Sequence, residues 1–246
     1  MKLVSIPLLR YWMPYAAATL AMLAVAVGAV WRGVVELKDL VIAVLPLLTT
    51  FAGATLAFRL NLAREAEKEA DRKKQAMNTA LFVLVQQDNA IRQILRDYEA
   101  RTSDFERAFN LPANKPPEYA HLKVPISDLV FLLDSHPQLL FELSIEQERF
   151  DQALDAVRIR NAFYVEEVQP AIERTGMLGR TVTILEAEKL LGQRIFGAAM
   201  NQAKTVLDHV SSSKVSIPLA VTQLRAAAKD QFPGAPFVNY VPAPEK

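Results

Sequence analysis

The side chains that could do chemistry are few and scattered. The three histidines, His121, His136 and His209, share no metal-ligand spacing such as His-x-x-x-His, and ordinary surface or capping roles are expected for them. Glu118 and His121 match the Glu-x-x-His element of di-iron proteins. That chemistry needs two such motifs on helices and further glutamates, whereas the single copy here stands in a proline-rich stretch. The run Gly176-Met177-Leu178-Gly179-Arg180-Thr181 has glycines and a threonine but lacks the spacing and the lysine of a phosphate loop. There is no Gly-x-Ser-x-Gly and no Ser/His/Asp arrangement. The absence of cysteine excludes disulfides, thiolate zinc, iron–sulfur clusters and a cysteine nucleophile. No catalytic, metal or cofactor-binding residue is therefore assigned, and a non-enzymatic protein without cofactors is expected.

What remains is polar chemistry on apolar seams. Met77, Leu81, Leu84, Asp88, Ile91, Leu95, Tyr98, Thr102, Phe105 and Phe109 alternate spacings of four and three, the pattern of a long helix packed along one face. A second seam runs through Leu143, Gln147, Phe150, Leu154, Val157, Asn161, Tyr164 and Val168. Asp88, Gln147 and Asn161 are the polar members. Such residues either fix register and partner number at some cost in stability or face water at a seam edge.

The elements that position these seams begin with two apolar segments. Twenty-one residues between Arg10 and Arg32, and nineteen between Asp39 and Arg59, carry no formal charge. A membrane-spanning helix needs roughly 20 such residues. Spans are expected at about 12–31 and 40–58, with Tyr11, Trp12, Tyr15 and Trp31 at the interfaces of the first. A cleaved signal peptide is the competing reading of the first segment, but its apolar run exceeds the usual core of about 7–15 residues. A second span so close behind also suits a hairpin. Lys2 and Arg10 precede the hairpin, and Arg59, Arg64, Lys68, Arg72, Lys73 and Lys74 follow it; the connecting loop holds only Arg32 and Lys38. Positive residues mark the cytoplasmic side. A multi-pass protein of the plasma or inner membrane, with both termini cytoplasmic, is the expectation.

Within the spans, Ala17, Ala21, Ala24 and Gly28 form one small-residue stripe; Thr49, Gly53 and Ala57 form another. Small residues let helices approach closely in lipid. The stripes are expected to pair the two spans with each other, or alternatively to drive oligomerisation.

The expected organisation is a transmembrane hairpin over 1–60, a charged juxtamembrane helix over 61–76, a helical domain over 77–231 and a proline-rich extended tail over 232–246. In the helical domain Ser135 and Gln138 form one capping-box pattern and Thr183 and Glu186 another. A helix end or kink is expected at Pro170 and an interruption at Ser211-Ser212-Ser213. Phe232, Phe237, Val238 and Tyr240 could dock the tail on this domain. The fold class is all-α, a transmembrane hairpin followed by a cytoplasmic antiparallel helical bundle or coiled coil.

A net charge of +1 argues against a general nucleic-acid-binding surface. The expected partners are the lipid bilayer, further copies of the chain and a cytoplasmic protein, and the expected role is scaffold, adaptor or signal relay. The alternative is a two-span subunit of an oligomeric pore or channel, for which Thr19, Thr49, Thr50 and Thr55 offer a thin polar lining.

Overall fold

Between Gly53 and Pro112 no proline or glycine occurs, and residues 64–75 are rich in Glu, Lys, Arg and Ala, which cost little in a helix. The consequence in the computed structural model is α1, Leu37–Glu99, a single helix of 63 residues. The structure describes residues 24, 28, 31–33, 36–113 and 119–240. Every regular element among the described residues is helical and none is a strand, so the fold class is all-α. The chain divides into two compact units, Met1–Lys68 and Glu69–Lys246.

In the first unit the described residues are chiefly the start of α1. Pro46 lies inside this helix; its nitrogen cannot donate, which frees a carbonyl one turn back, and the Thr49 hydroxyl donates to the Pro46 carbonyl at 3.0 Å. Leu47, Phe51, Leu56 and Phe58 are all exposed. This is the one helix among the described residues long and apolar enough to cross a membrane by length and composition, and none of its apolar window is buried within the chain. The segment 12–31 lies outside the described residues except for Ala24, Gly28 and Trp31, which are helical and exposed.

The second unit takes its core from three long helices: the 77–98 stretch of α1, α3 (Pro137–Phe163) and α5 (Ile184–Gln231). Met77, Leu81, Leu84, Ile91, Leu95 and Tyr98 are buried, as are Leu143, Phe150 and Val157 of α3. Each fully buried side chain of this size stabilises the fold by about 1.5–3 kcal/mol. The side-chain pairs between helices give their directions. Gln87 meets Gln147, and Arg160 donates to the carbonyl of Arg107, whose own side chain donates to the Tyr98 carbonyl, so α1 and α3 run the same way. Lys214 meets Glu99, and Lys74 lies over the Phe232 ring, so α5 runs opposite to α1. It also runs opposite to α3, as Ser216–Glu146 and Arg194–Glu167 contacts show. The expected wholly antiparallel order is thus corrected for α1 and α3. The segment between them, with α2 (Asp104–Phe109) and a 3-10 stretch at Ile126–Asp134, is long enough to carry the chain back.

The first seam does not continue as one helix to Phe109. Ser103 caps α2 by accepting from the Glu106 amide, and the Glu106 carboxylate accepts from the Thr102 amide and hydroxyl. This is a capping box, and it outweighs the heptad pattern, leaving Thr102 exposed. The expected box at Ser135 is not formed: His136 is the N-cap of α3 without a side-chain bond, and Ser135 accepts from Gln231 instead. The box at Thr183 does form, with its hydroxyl accepting from the Glu186 amide at 3.3 Å. Pro170 does not end its helix, because a π-helical turn at Tyr164–Val168 precedes α4 (Gln169–Arg174). The wider turn accommodates a residue with no amide donor. Ser211 to Ser213 lie within α5, and the break falls instead at Gly192, whose φ of 78° is left-handed. Nothing stands within 4 Å of a Cβ built there, so Gly192→Ala is expected to cost about 1–2 kcal/mol through the backbone alone, read as a lowered denaturation midpoint.

A second core gathers Ala108 and Phe109 of α2, Val168, Ala171 and Met177, and the 187–203 part of α5. There the Phe109 ring stacks on Phe196 with centroids 5.5 Å apart and meets Phe105 at a tilt with centroids 5.0 Å apart. The tail docks as the sequence allows: Phe232, Phe237, Val238 and Tyr240 pack against the first core. Residues 241–246 lie outside the described ones.

Candidate interaction site

Two adjacent residues of α1 build the centre of a buried polar layer. Gln87, wholly buried, donates from Nε2 to the Leu122 carbonyl at 2.8 Å and to Gln147 Oε1 at 2.9 Å. Gln147 Oε1 also accepts from the Val124 amide at 2.8 Å, and its Nε2 donates to Asp151 at 3.2 Å. Gln147 therefore ties α1, the 122–124 loop and α3 into one register. Asp88 is also wholly buried; its carboxylate pairs with Arg92 Nε at 2.6 Å and accepts from the Tyr240 hydroxyl. Burial, then the bond to Asp88, raises the Tyr240 pKa, so the phenol keeps the proton it donates.

The structure brings Asp88 and Gln147 of the expected polar seam into this layer through Gln87, and places Asn161 elsewhere. Asn161 sits beside Arg160, accepting from its Nη1 at 3.1 Å. Arg160 is 3% exposed and donates to the carbonyls of Arg107, Ala108, Leu111 and Pro112. Those of Arg107 and Ala108 are last-turn carbonyls that the end of α2 leaves without a helical partner, and Tyr164 satisfies that of Phe109 at 3.2 Å. Burial lowers the Arg160 pKa, opposed by Tyr98 and Tyr164. The Arg160 guanidinium lies 4.7 Å from the Tyr164 ring centroid, a cation–π contact.

A third cluster joins α3 to α5. Glu146, 2% exposed, accepts from the Ser216 hydroxyl at 2.8 Å and from Arg149 at 3.3 Å. Burial raises its pKa above the ordinary 4.5, with Ser216 and Arg149 opposing. A raised native pKa means the folded state holds the proton more tightly. Its contribution to stability is full below 4.5 and is lost as the pH rises through the folded-state value. Glu146→Gln keeps an acceptor for Ser216 and removes the charge. Thermal melts across the acid-to-neutral range are expected to show a higher Tm for the variant at neutral pH and a flatter pH dependence.

Of the small-residue positions, Ala17 and Ala21 lie outside the described residues. Ala24, Gly28, Gly53 and Ala57 are exposed, and among the described residues no atom lies within 4 Å of a Cβ built at Gly28 or Gly53. A cleft of 720 Å³ opens by the π-helical turn, lined among others by Phe109, Tyr164, Glu173, Met177 and Arg180. Its described lining includes no histidine, serine or cysteine.

What this arrangement does chemically is recognition: amide and phenol groups fix which segment lies against which. Gln87, Arg160 and Glu146 were not marked by the sequence pattern. No family model matches this chain, and no curated protein and no solved structure matches it.

Proposed function

We propose that this chain is a non-enzymatic membrane protein whose helical domain acts by binding other proteins, as a scaffold, adaptor or signal-relay component. It crosses the plasma or inner membrane twice through an N-terminal hairpin, keeps both termini in the cytoplasm, presents a helical bundle there and works as a homo-oligomer. The observation that carries this reading is the division of labour along α1. Its residues 44–58 carry no charge and none is buried within the chain, whereas one face of its residues 77–98 is core. Large unburied apolar surface marks contact with lipid or protein, and a helix satisfies its own backbone in lipid. The lysine and arginine distribution supports the orientation. The buried polar layer supports a domain with one register, suited to presenting a fixed surface, on which Phe82, Phe141 and Leu219 are exposed.

Alkaline extraction of membranes from expressing cells is expected to leave the chain in the pellet; release to the supernatant would contradict the anchor. A photo-crosslinker at Phe141 in those membranes is expected to trap a discrete protein adduct. Lipid adducts alone, or none, would sink the interaction role.

A further inference from the structure

The segment 232–240 is seated on α1 rather than trailing from α5. After Gln231 the chain turns, with the Ala235 amide donating to the Phe232 carbonyl at 3.1 Å and Gly234 at φ 83°, a left-handed conformation that favours glycine. The Asn78 side chain then reads the main chain of the segment twice. Its Nδ2 donates to the Pro236 carbonyl at 3.3 Å and its Oδ1 accepts from the Val238 amide at 3.1 Å. Asp88, braced by Arg92, reads the Tyr240 hydroxyl. Lys74 lies 5.8 Å from the Phe232 ring centroid.

The contacts at Lys74, Asn78 and Asp88 span about 21 Å of helix at 1.5 Å per residue. An extended proline-bearing segment of this length covers about 25 Å at 3.1 Å per residue, so the segment lies along α1. The anchoring is of two kinds: main-chain bonds that accept any side chain, and one phenol that donates to the buried Asp88 oxygen already held by Arg92. That combination is how extended, preformed peptides are recognised. The seated side chains Phe232, Phe237, Val238 and Tyr240 are only half-buried, and Pro236 and Asn239 are exposed. Docking in cis needs little intrinsic affinity, because a short tether supplies an effective concentration in the millimolar range.

We propose that the face of α1 from Lys74 to Arg92 is a peptide-recognition groove that residues 232–240 occupy in cis. A partner protein presenting an extended, proline-bearing segment with a tyrosine displaces them. This names the partner class for the interaction role above and rests on that reading, but not on the membrane topology.

The test titrates a labelled peptide with the sequence of residues 232–240 against two forms of the full chain in detergent. One is intact; the other carries Val238→Pro and Tyr240→Phe, which remove the donors of the resident segment and leave the groove untouched. Binding to the opened form is expected to be at least about tenfold tighter than to the intact form. Adding Asn78→Ala should abolish it, and replacing the peptide's tyrosine with phenylalanine should weaken it about tenfold. No binding by an opened form of unchanged circular dichroism, or equal binding by both, overturns the groove. If the opened form does not fold, hydrogen exchange of the intact chain decides. The Val238 amide is expected to exchange at least about a hundredfold faster than the Leu84 amide, through local opening; equal rates overturn displacement. Stable pairing of intact with opened chains assigns the groove to a second copy and overturns the partner. Peptide binding without any Phe141 adduct would leave the groove standing and remove only the interaction role reported by that adduct, so the two failures are distinguishable.

Discussion

Arg160→Met is expected to destabilise the helical domain by about 3–5 kcal/mol, read from denaturant unfolding of the full chain in detergent. The methionine keeps much of the aliphatic bulk but none of the donors. The carbonyls of Arg107, Ala108, Leu111 and Pro112 then lose the guanidinium that converges on them, and those of the buried Ala108 and Leu111 are too enclosed to be repaid fully by water. Tyr164 still holds the Phe109 carbonyl, so α2 is loosened rather than deleted. Tyr164→Phe removes one bond only and is expected to cost about 1 kcal/mol. An equal loss in both variants would show that the guanidinium is not the pin between α2 and α3.

Phe150→Ala is expected to cost about 3–5 kcal/mol by the same measurement. Phe150 is wholly buried in the first core, which α1, α3 and α5 all contribute to. Removing its ring takes away burial and leaves a cavity that long, mutually braced helices close poorly. A cost below about 1 kcal/mol would mean the three helices do not share one well-packed interior.

The parts of this fold that were legible in the sequence are those written in local periodicity. Met77, Leu81, Leu84, Ile91 and Leu95 announce a buried face because each lies three or four residues from the next. Asp88 and Gln147 stand out as polar members of such seams, and the structure buries one and hydrogen-bonds both. Gln87 was not legible, because it lies off the three-four spacing and is buried by the Leu122–Val124 segment arriving from elsewhere. Arg160 reads as one more charge on a helix that also carries Arg158; its burial depends on carbonyls about fifty residues away in sequence. The Ser103–Glu106 pair is legible as a cap, but it lies inside an apolar seam whose period runs on to Phe109. Gly192 does not stand out in the sequence beside the three serines, although only glycine enters its φ of 78° without strain. Ser216 bonds the Ser212 carbonyl one turn back, whereas the Ser213 hydroxyl is buried without a hydrogen-bond partner and the helix continues through it.

On the function we propose, α1 links a membrane-embedded stretch to a cytoplasmic, protein-binding helical domain. The native chain has no cysteine, so single cysteines placed at Gly33 and Lys73 can be labelled without background. With a membrane-impermeant thiol reagent on intact cells, Gly33→Cys is expected to label and Lys73→Cys to label only after permeabilisation. Labelling of Lys73→Cys from outside, or of neither position until permeabilisation, would contradict the topology on which the account rests.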